Sequence, residues 1–315
     1  MLQNTVDRAN RITSDVYVVT EASHADEVAK QLPQLSADRI IIEPARRGTA
    51  ACFILGLARI SEDHSDDESV VFIHADHHIP DLDKFSTAVR AASAASASRG
   101  SIALVGVAPT YPATGLGYIQ CGSQIGEEEE LPVYRVKAFK EKPTFDVAKR
   151  YLKAGKYLWN QGLFAAPLRT WVQEFKDFAP NYYKGYQDLK SDADTNEIYL
   201  GLENIAIDYA LIEKTPHLVV VPALYDWADI GSFRDLHKVL KGENGNSLKG
   251  NVHQINCEDC MIHATDKPVI AIGLSGIVVV DTPEGLLVCS KEQSHLVGEL
   301  SKKLAAEQAN NKTKA

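Results

Sequence analysis

Residues 70–81, VVFIHADHHIPD, place three histidines and two aspartates directly behind a run of apolar residues. The apolar part, residues 69–74, is typical of a buried strand, and ligands of open α/β sheets bind beyond the carboxyl ends of such strands. Asp76 comes two residues past this end, where its carboxylate can reach a bound ion. The segment therefore predicts a metal site.

Two metals fit these residues. Zinc would take several of His74, His77 and His78, whose spacing is near that of zinc sites. Magnesium asks for one or two carboxylates, several waters and substrate phosphates, and Asp76 can supply the carboxylate without the histidines. Strand geometry favours magnesium over zinc, with at least one of His77 and His78 simply facing solvent.

A magnesium site asks for a second carboxylate, and Asp229 is the candidate. The stretch WADIGSFRDLH, residues 227–237, places Asp229 just before a Gly-Ser turn that opens a helix. Alternatively, Asp229 only caps that helix, since aspartate is favoured before a helix start.

The elements around these residues predict an α/β sheet. Up to residue 110, short β-branched runs alternate with helical stretches, which indicates βαβ units and a mainly parallel sheet. The predicted strands are 15–20, 39–44, 69–74 and 101–109, and the predicted helices are the end of one over 1–12, then 23–32, 49–59 and 81–98. A hairpin of 117–122 with 132–143 follows, with the acidic tip EEEE at 127–130. Further predicted elements are a helix at 144–155, a strand at 162–167, helices to about 214 and a strand at 217–224.

Beyond the loop GENGNS at 242–247, apolar runs recur about every ten residues, which indicates a small β sandwich or a few β-helical coils. We therefore predict three segments: a main domain at 1–243, a small β domain at 244–291, and a C-terminal helix with a polar tail at 292–315.

Composition limits the partners. The chain has 315 residues and a formal charge of −9, which disfavours nucleic acid, and no apolar run is long enough to span a membrane. Five scattered cysteines indicate reduced thiols and a cytoplasmic location. The single C-x-x-C, Cys257 and Cys260, lacks the second pair of a zinc ribbon and is typical of ordinary cysteines in a β segment.

Seven stretches occur in the order seen in one enzyme family. They are EPARRGTAA (43–51), ADHHI (75–79), TGLGYI (114–119), FKEKP (139–143), LWNQGLF (158–164), IDYALIEK (207–214) and WADIGS (227–232). This ordered set resembles the sugar-nucleotide pyrophosphorylases, and among them the mannose-1-phosphate guanylyltransferases. The resemblance implies a Rossmann-like mixed sheet flanked by helices, of the nucleotide-diphospho-sugar transferase type, with a short β-helical appendage.

The resemblance also implies a reaction in which GTP and mannose 1-phosphate give GDP-mannose and pyrophosphate. By resemblance, Asp76 and Asp229 would hold Mg²⁺, and Lys142 would approach the sugar phosphate. The implied substrate-binding residues are Arg47, Thr49, Gly117, Tyr118, Glu141, Asn160 and Asp208. Glycine at 117 would let the backbone approach the ligand, and Glu141 and Asn160 offer the acceptors and donors that sugar hydroxyls need.

Simpler roles exist for some of these residues. Lys142 with Pro143 can be read as a strand end, Arg47 as an ion-pair partner of Glu43, and Asp208 as a solvated helix residue. For Asp76, Glu141 and Asp229 the functional interpretation is stronger.

One part of the family pattern has no match here. The family opens with a strand and a Gly-rich phosphate-binding loop, whereas MLQNTVDRA resembles the helix that follows them. The missing strand would lie between 15–20 and 69–74, so we expect low stability unless the sheet closes there, and weak or absent activity.

Three other functions remain open from the sequence. They are an inactive relative that only binds the sugar nucleotide, a pyrophosphorylase for another sugar and nucleotide, and a zinc hydrolase using residues 74–78. A homodimer through the C-terminal β unit is a further expectation by analogy.

Overall fold

The elements of the chain group into two units, and a computed structural model describes residues 1–191, 194–283 and 285–312 of it. The first unit comprises Met1–Ala75 and Ile79–Trp227. The second comprises Asp76–His78 and Ala228–Ala315. Three residues from the first quarter of the chain thus belong with its C-terminal part.

The first unit contains most of the predicted elements. Its helices are α1 (Leu2–Ala9), α2 (Ala25–Gln31), α3 (Gly48–Asp63), α4 (Leu82–Arg99), α5 (Phe145–Ala154), α6 (Leu168–Phe178), α7 (Pro180–Leu189) and α8 (Thr195–Gly201). Its strands are β1 (Val18–Glu21), β2 (Ile40–Glu43), β3 (Ser69–Phe72), β5 (Ile102–Val107), β6 (Tyr118–Glu128), β7 (Leu131–Lys140), β8 (Tyr157–Pro167) and β9 (Leu218–Pro222). A π-helical turn, Asp208–Ile212, precedes β9.

Local signals explain where these elements stop. Helix α4 follows Asp81, whose carboxylate accepts a hydrogen bond from the backbone N–H of Lys84 at 3.0 Å, and it ends at Gly100 with φ of 57°. A side-chain acceptor before the first turn and a left-handed glycine after the last are the usual caps of a helix. The hairpin of β6 and β7 turns at Glu129 and Glu130, both with positive φ. Two of the four glutamates predicted as the tip therefore form the turn, while Glu127 and Glu128 are paired at the end of β6.

The central sheet is mixed, as the sequence predicted. Its strand order is β3-β8-β5-β9-β7-β6, with a further pairing of β8 with β6. β5 and β9 run parallel, while β8 lies antiparallel to both β3 and β5. The antiparallel share is larger than the sequence indicated, because the long strand β8 and the β6–β7 hairpin join the sheet without helical crossovers.

Helices cover both faces of this sheet. One core packs α3, α6 and α7 against residues such as Phe164 and Ala166 of β8. The other core packs α4 against Leu163 and Ala165 of the same strand. Successive residues of a strand point to opposite faces, so β8 separates the two cores.

The sheet does not close between β1 and β3, the strands that correspond to the predicted strands 15–20 and 69–74. β1 pairs in parallel with β2, and together they form a separate two-stranded sheet. Within the described ranges, β3 is hydrogen-bonded only to β8 and β1 only to β2. Each of these strands therefore presents one unpaired backbone edge.

The second unit is a stack of short strands. It contains β4 (His77–His78), β10 (Ala228–Asp229), α9 (Phe233–Leu240), β11 (Ser247–Lys249), β12 (Val252–Ile255), β13 (Met261–His263), β14 (Val269–Ile272), β15 (Ile277–Thr282), β16 (Gly285–Ser290) and α10 (Val297–Lys312). β11, β13 and β15 pair in parallel, as do β12 and β14, whereas β16 runs antiparallel to β15.

Two details of this unit bear on the sequence analysis. Gly250 turns between coils with φ of 84°, and a Cβ there would lie 2.1 Å from the backbone oxygen of Ala264, so only glycine fits. Cys257 and Cys260 are buried thiols between β12 and β13, in keeping with ordinary cysteines.

The C-terminal helix is present as α10, although residues 313–315 of the predicted polar tail lie outside the described residues. None of the described helices combines the length and the apolar character needed to cross a lipid bilayer.

Candidate functional site

Asp76 and Asp229 come together in the second unit through a pair of very short strands. β4 and β10 run antiparallel with Asp229 opposite His77, and the backbone N–H of Ile230 donates to the backbone oxygen of Asp76 at 3.1 Å. One ligand atom from each of Asp76, His77 and Asp229 lies within 4.8 Å of the others. The backbone pairing of β4 with β10 thus brings two carboxylates and one imidazole close together.

This donor set fits a divalent cation. The Asp76 side chain is 54% exposed, so coordinating waters or substrate oxygens can reach it, while the His77 ring is largely buried. Oxygen donors with open positions suit Mg²⁺, and the added imidazole is also compatible with Zn²⁺.

The predicted histidine cluster is not assembled. His78 is exposed, and His74 lies in the first unit, where its ring atoms fill the space beside Gly162. Among the three histidines, only His77 belongs to the group that could hold an ion.

The alternative role for Asp229, a helix cap, is wrong. Helix α9 begins at Phe233, and its cap is Ser232, whose hydroxyl accepts from the backbone N–H of Asp235 at 3.3 Å. Asp229 instead lies in β10. Its carboxylate is therefore not used at the helix start.

A second group of predicted residues meets in the first unit, around Gly117. The backbone N–H of Asn160 donates to the Gly117 oxygen at 2.8 Å. A Cβ on Gly117 would lie 2.5 Å from Oε2 of Glu141 and 3.1 Å from Cβ of Asn160. Glycine is required here because the Glu141 carboxylate occupies the space that a side chain would need.

Both the nitrogen and the oxygen of the Asn160 side-chain amide form hydrogen bonds. Its Nδ2 donates to the Asp208 carboxylate at 3.0 Å, and its Oδ1 accepts from the backbone N–H of Gly162 at 3.0 Å. Nδ2 keeps one N–H for a ligand, since an amide nitrogen carries two. Asp208 is half-buried at the first residue of the π-helical turn, so it is not a solvated helix residue.

The carboxyl groups of this cluster are hard to ionise. Burial raises the pKa of Glu141 to about 7, and the nearby Asp208 carboxylate adds to this rise against the opposing effect of Lys142. Burial also raises the pKa of Asp208. Perturbed carboxyls gathered beside a glycine are typical of a functional site, although structural networks produce them too.

Lys142 follows Glu141 in a strained backbone conformation. Its φ is 44°, uncommon for a residue with a side chain, and its ammonium lies 3.4 Å from Oε1 of Glu141. The side chain is about half exposed, so it can reach an anionic ligand. The contact of Lys142 with a ligand stays a prediction.

Thr49, Arg47 and Tyr118 are placed differently. The Thr49 hydroxyl accepts from the backbone N–H of Ile207 at 2.8 Å, which holds the start of the turn that bears Asp208. Arg47 precedes α3 and makes no ion pair with any described residue, while Glu43 accepts from the hydroxyl of Tyr199.

Tyr118 is fully buried, and its hydroxyl donates to the backbone oxygen of Ala113 at 3.0 Å. A ligand could therefore contact Tyr118 only through its backbone. The role of this residue in substrate binding stays a prediction.

Glu213 is a residue of this cluster that the sequence reasoning missed. Its Oε1 accepts from the backbone N–H of Glu141 at 2.9 Å and from Nζ of Lys140 at 3.2 Å. It thereby fixes the backbone that presents Glu141. Its place in the quoted stretch IDYALIEK, next to a lysine, was the only available signal.

Two models of known protein families match this chain. The model of the nucleotidyl transferase family matches residues 1–244. The chain belongs to the nucleotidyl transferase family. Residues 250–304 match a second model, described as a mannose-phosphate isomerase/GMP-like β-helix domain, so the coils of the second unit are those of a β-helix.

Two curated relatives of this chain carry the same name. Mannose-1-phosphate guanylyltransferase RfbM of Salmonella typhimurium is 35% identical over 93% of this chain, and the enzyme of that name from Klebsiella pneumoniae is 34% identical over 93%. The alignments cover 63% and 64% of those proteins, so this chain spans less than two thirds of their length.

Solved structures share the fold. A crystal structure described as mannose-1-phosphate geranyltransferase from Thermus thermophilus superposes with a TM-score of 0.85 at 29% identity, covering 96% of this chain and 89% of that one. A mannose-6-phosphate isomerase from Helicobacter pylori has a TM-score of 0.61 at 20% identity, covering 72% and 90%, which shows the fold alone.

The close contact at Gly117 can be tested by substitution. Gly117→Ala should lower the free energy of unfolding by about 1–3 kcal/mol, because the new methyl group collides with the Glu141 carboxylate and with Asn160. Gly115→Ala is the matched control, since a Cβ there meets no atom within 4 Å. Urea denaturation measures both.

A double-mutant cycle identifies the cause. Combining Gly117→Ala with Glu141→Ala should recover part of the loss, giving a coupling clearly above the additivity limit of about 0.5 kcal/mol. Strictly additive effects would contradict the contact.

Proposed function

We propose that this chain transfers GMP from GTP to mannose 1-phosphate, giving GDP-mannose and pyrophosphate. The observation that carries the proposal is the convergence of Asp76 and Asp229 on the β4–β10 ladder, within a member of the nucleotidyl transferase family. The names of the relatives from Salmonella and Klebsiella support the choice of substrates.

In this proposal Asp76 and Asp229 hold Mg²⁺, and His77 packs beside them. The bound ion would neutralise the negative charge that phosphoryl transfer spreads over the phosphate oxygens. The protein itself would hold the carboxylates of Asp76 and Asp229 close together in the absence of a ligand. The backbone pairing of β4 with β10 does this without side-chain rearrangement.

The cluster around Gly117 would bind the sugar. Ionised Glu141 accepts from two hydroxyls, and the remaining N–H of Asn160 donates to another oxygen. Asp208 orients the Asn160 amide, and Thr49 holds the turn from which Asp208 projects. Tyr118 would contribute its backbone next to Gly117.

Lys142 and Arg47 would supply positive charge. Lys142 points outward from its strained turn and would approach the sugar phosphate. Arg47, with no ion-pair partner among the described residues, would lie near the nucleotide. Phosphoryl transfer depends mainly on positioning and on charge neutralisation, so no covalent nucleophile from the protein is needed.

Pyrophosphate release tests the proposed substrates. GTP with mannose 1-phosphate should give more pyrophosphate than UTP, dTTP or ATP, and more than any of these with glucose 1-phosphate. Slow release with this substrate preference still supports the proposal. Equal or faster release with another pair, or binding of GDP-mannose with no release from any pair, would overturn it.

The assignment of Asp76 and Asp229 as Mg²⁺ ligands predicts that removing either carboxylate weakens Mg²⁺ binding. Asp76→Asn and Asp229→Asn should each weaken Mg²⁺ binding at least tenfold, because each removes one of two ligand charges. Isothermal titration of the purified chain with Mg²⁺ measures this independently of turnover. Asp266→Asn, an exposed aspartate in the same unit, serves as the control.

The outcome also separates the two metals. Stoichiometric zinc retained after mild chelation, with no measurable Mg²⁺ affinity, would contradict the magnesium assignment and favour a zinc hydrolase.

The raised pKa of Glu141 predicts a pH dependence. The carboxyl is protonated below about pH 7 and ionised above it, so the acceptor for sugar hydroxyls is lost as the pH falls. KM for mannose 1-phosphate should then rise up to about tenfold per pH unit below this value. Glu141→Gln should raise KM at high pH and remove this dependence; a variant with an unchanged profile would rule out Glu141 as its source.

A further inference from the structure

The residues assigned to the sugar form one group, here called the sugar cluster: Gly117, Glu141, Asn160 and Asp208. They come from separate segments of the first unit, since Glu141 follows β7, Asn160 lies in β8 and Asp208 begins the π-helical turn. In the strand order of the central sheet, β5 and β9 lie between β8 and β7. The position of Glu141 relative to Asn160 thus depends on elements that contact both.

The π-helical turn contacts both of these residues. Asp208 at its start accepts from Nδ2 of Asn160 at 3.0 Å, and Glu213, directly after it, accepts from the backbone N–H of Glu141 at 2.9 Å. The N–H of Glu213 donates to the backbone oxygen of Asp208 at 2.8 Å, which is the five-residue bond of a π-helix. Asp208 and Glu213 are therefore held one turn apart, and each carboxylate holds a different segment.

The turn itself is anchored in the hydrophobic core. Its residues Ala210, Leu211 and Ile212 are at most 1% exposed and belong to the core that packs α3, α6 and α7 against the sheet. A shift of the turn would expose these side chains to water, which is unfavourable. Glu213 is thus attached to a part of the chain that resists movement.

The segment that Glu213 holds has a strained backbone. Lys142 has a φ of 44° and precedes Pro143, although residues before proline favour extended conformations. Such a conformation persists only where surrounding contacts stabilise it. Glu213 supplies two contacts to the preceding residues, because its Oε1 accepts from the N–H of Glu141 and, at 3.2 Å, from Nζ of Lys140.

The two contacts of Glu213 differ in importance. The Lys140 side chain is 52% exposed, and exposed ion pairs contribute little to stability. Glu141 is buried, and a buried backbone N–H without an acceptor is costly. The hydrogen bond to Glu141 is therefore the contact that fixes the segment.

We propose that Glu213 is a positioning residue of the sugar cluster, which holds the backbone of Glu141 and Lys142 so that their side chains face mannose 1-phosphate. Glu213 acts through these neighbours, since its own carboxylate is mostly buried and accepts from both Glu141 and Lys140. This role rests on the proposed function, because it requires the sugar cluster to bind the sugar phosphate.

Three substitutions separate the hydrogen bond of Glu213 from its charge. Glu213→Gln keeps an oxygen that can accept from the N–H of Glu141 but removes the charge. Glu213→Asp keeps the charge on a side chain that is one methylene shorter, and Glu213→Ala removes both. Glu203→Ala is the matched control, since Glu203 is an exposed glutamate on the segment before the turn.

Amide hydrogen exchange at Glu141, followed by NMR on the full chain without substrate, tests the contact itself. The exchange should be at least about tenfold faster in Glu213→Ala and Glu213→Asp, because the N–H loses its acceptor. It should stay within about threefold of the parent in Glu213→Gln and in the Glu203→Ala control.

Isothermal titration with mannose 1-phosphate tests the positioning role, at a pH where Glu141 is ionised. The Kd should rise about tenfold in Glu213→Ala and Glu213→Asp and stay within about threefold of the parent in Glu213→Gln and the control. The affinity for Mg²⁺ should not change in any variant, because the proposed metal ligands belong to the second unit. A general loss of structure would weaken both ligands together.

Three results would overturn the positioning role. They are parent-like exchange at Glu141 in both Glu213→Ala and Glu213→Asp, parent-like affinity in both, and an affinity that follows charge, with Glu213→Asp like the parent and Glu213→Gln like Glu213→Ala. Thermal unfolding checks that each variant is folded; if Glu213→Ala is not, the comparison of Glu213→Gln with Glu213→Asp decides.

The same titrations distinguish this role from the proposed function. A parent chain that prefers another sugar phosphate contradicts the proposed substrate, while the same order of variants with that ligand still supports the role of Glu213. A parent chain that binds no sugar phosphate overturns both.

Discussion

The pairing of β4 with β10 is the interaction on which the candidate metal site depends. Each strand has two residues, and the ladder brings Asp229 opposite His77 with Ile230 bonded to Asp76. The chain leaves the first unit at Ala75, contributes three residues to the second, and returns at Ile79. Backbone hydrogen bonds of this short ladder thus bring the two carboxylates together.

The sugar cluster is organised by a different means. Its members are joined by side-chain hydrogen bonds that run from Glu213 to the Glu141 backbone, and from Asp208 through Asn160 to Gly162. Such networks hold side chains in place before a ligand binds, and they also keep buried carboxyls close together. The raised pKa of Glu141 follows from its burial first and from the nearby Asp208 carboxylate second.

Local sequence patterns predicted individual helices and hairpins better than they predicted which strands pair in the sheet. α4 and the β6–β7 hairpin follow from a helix cap, a left-handed glycine and an acidic turn, all of which act within a few residues. The position of β8, antiparallel between β3 and β5, depends on partners far along the chain, and its first half was not recognised as a strand.

The roles of the candidate site residues were also hard to predict where they depend on partners far away in the sequence. Asp229 could not be told from a helix cap by sequence, because the distinction depends on which strand pairs with it. Glu213 was missed because its partner Glu141 lies 72 residues earlier in the chain. Asp76 was predicted from its position beyond a strand, whereas Glu141 and Asn160 were predicted from an ordered resemblance. The structure places Glu141 and Asn160 in one cluster and Asp76 with Asp229 in another.

The π-helical turn at Asp208–Ile212 has a consequence for how the chain can change in length. A π turn contains one residue more than an α-helical turn, and one helical residue corresponds to a rotation of about 100°. Deleting a residue there would change the rotation of the turn relative to its neighbours and swing the Asp208 carboxylate away from Asn160. This segment should therefore tolerate substitutions far better than insertions or deletions.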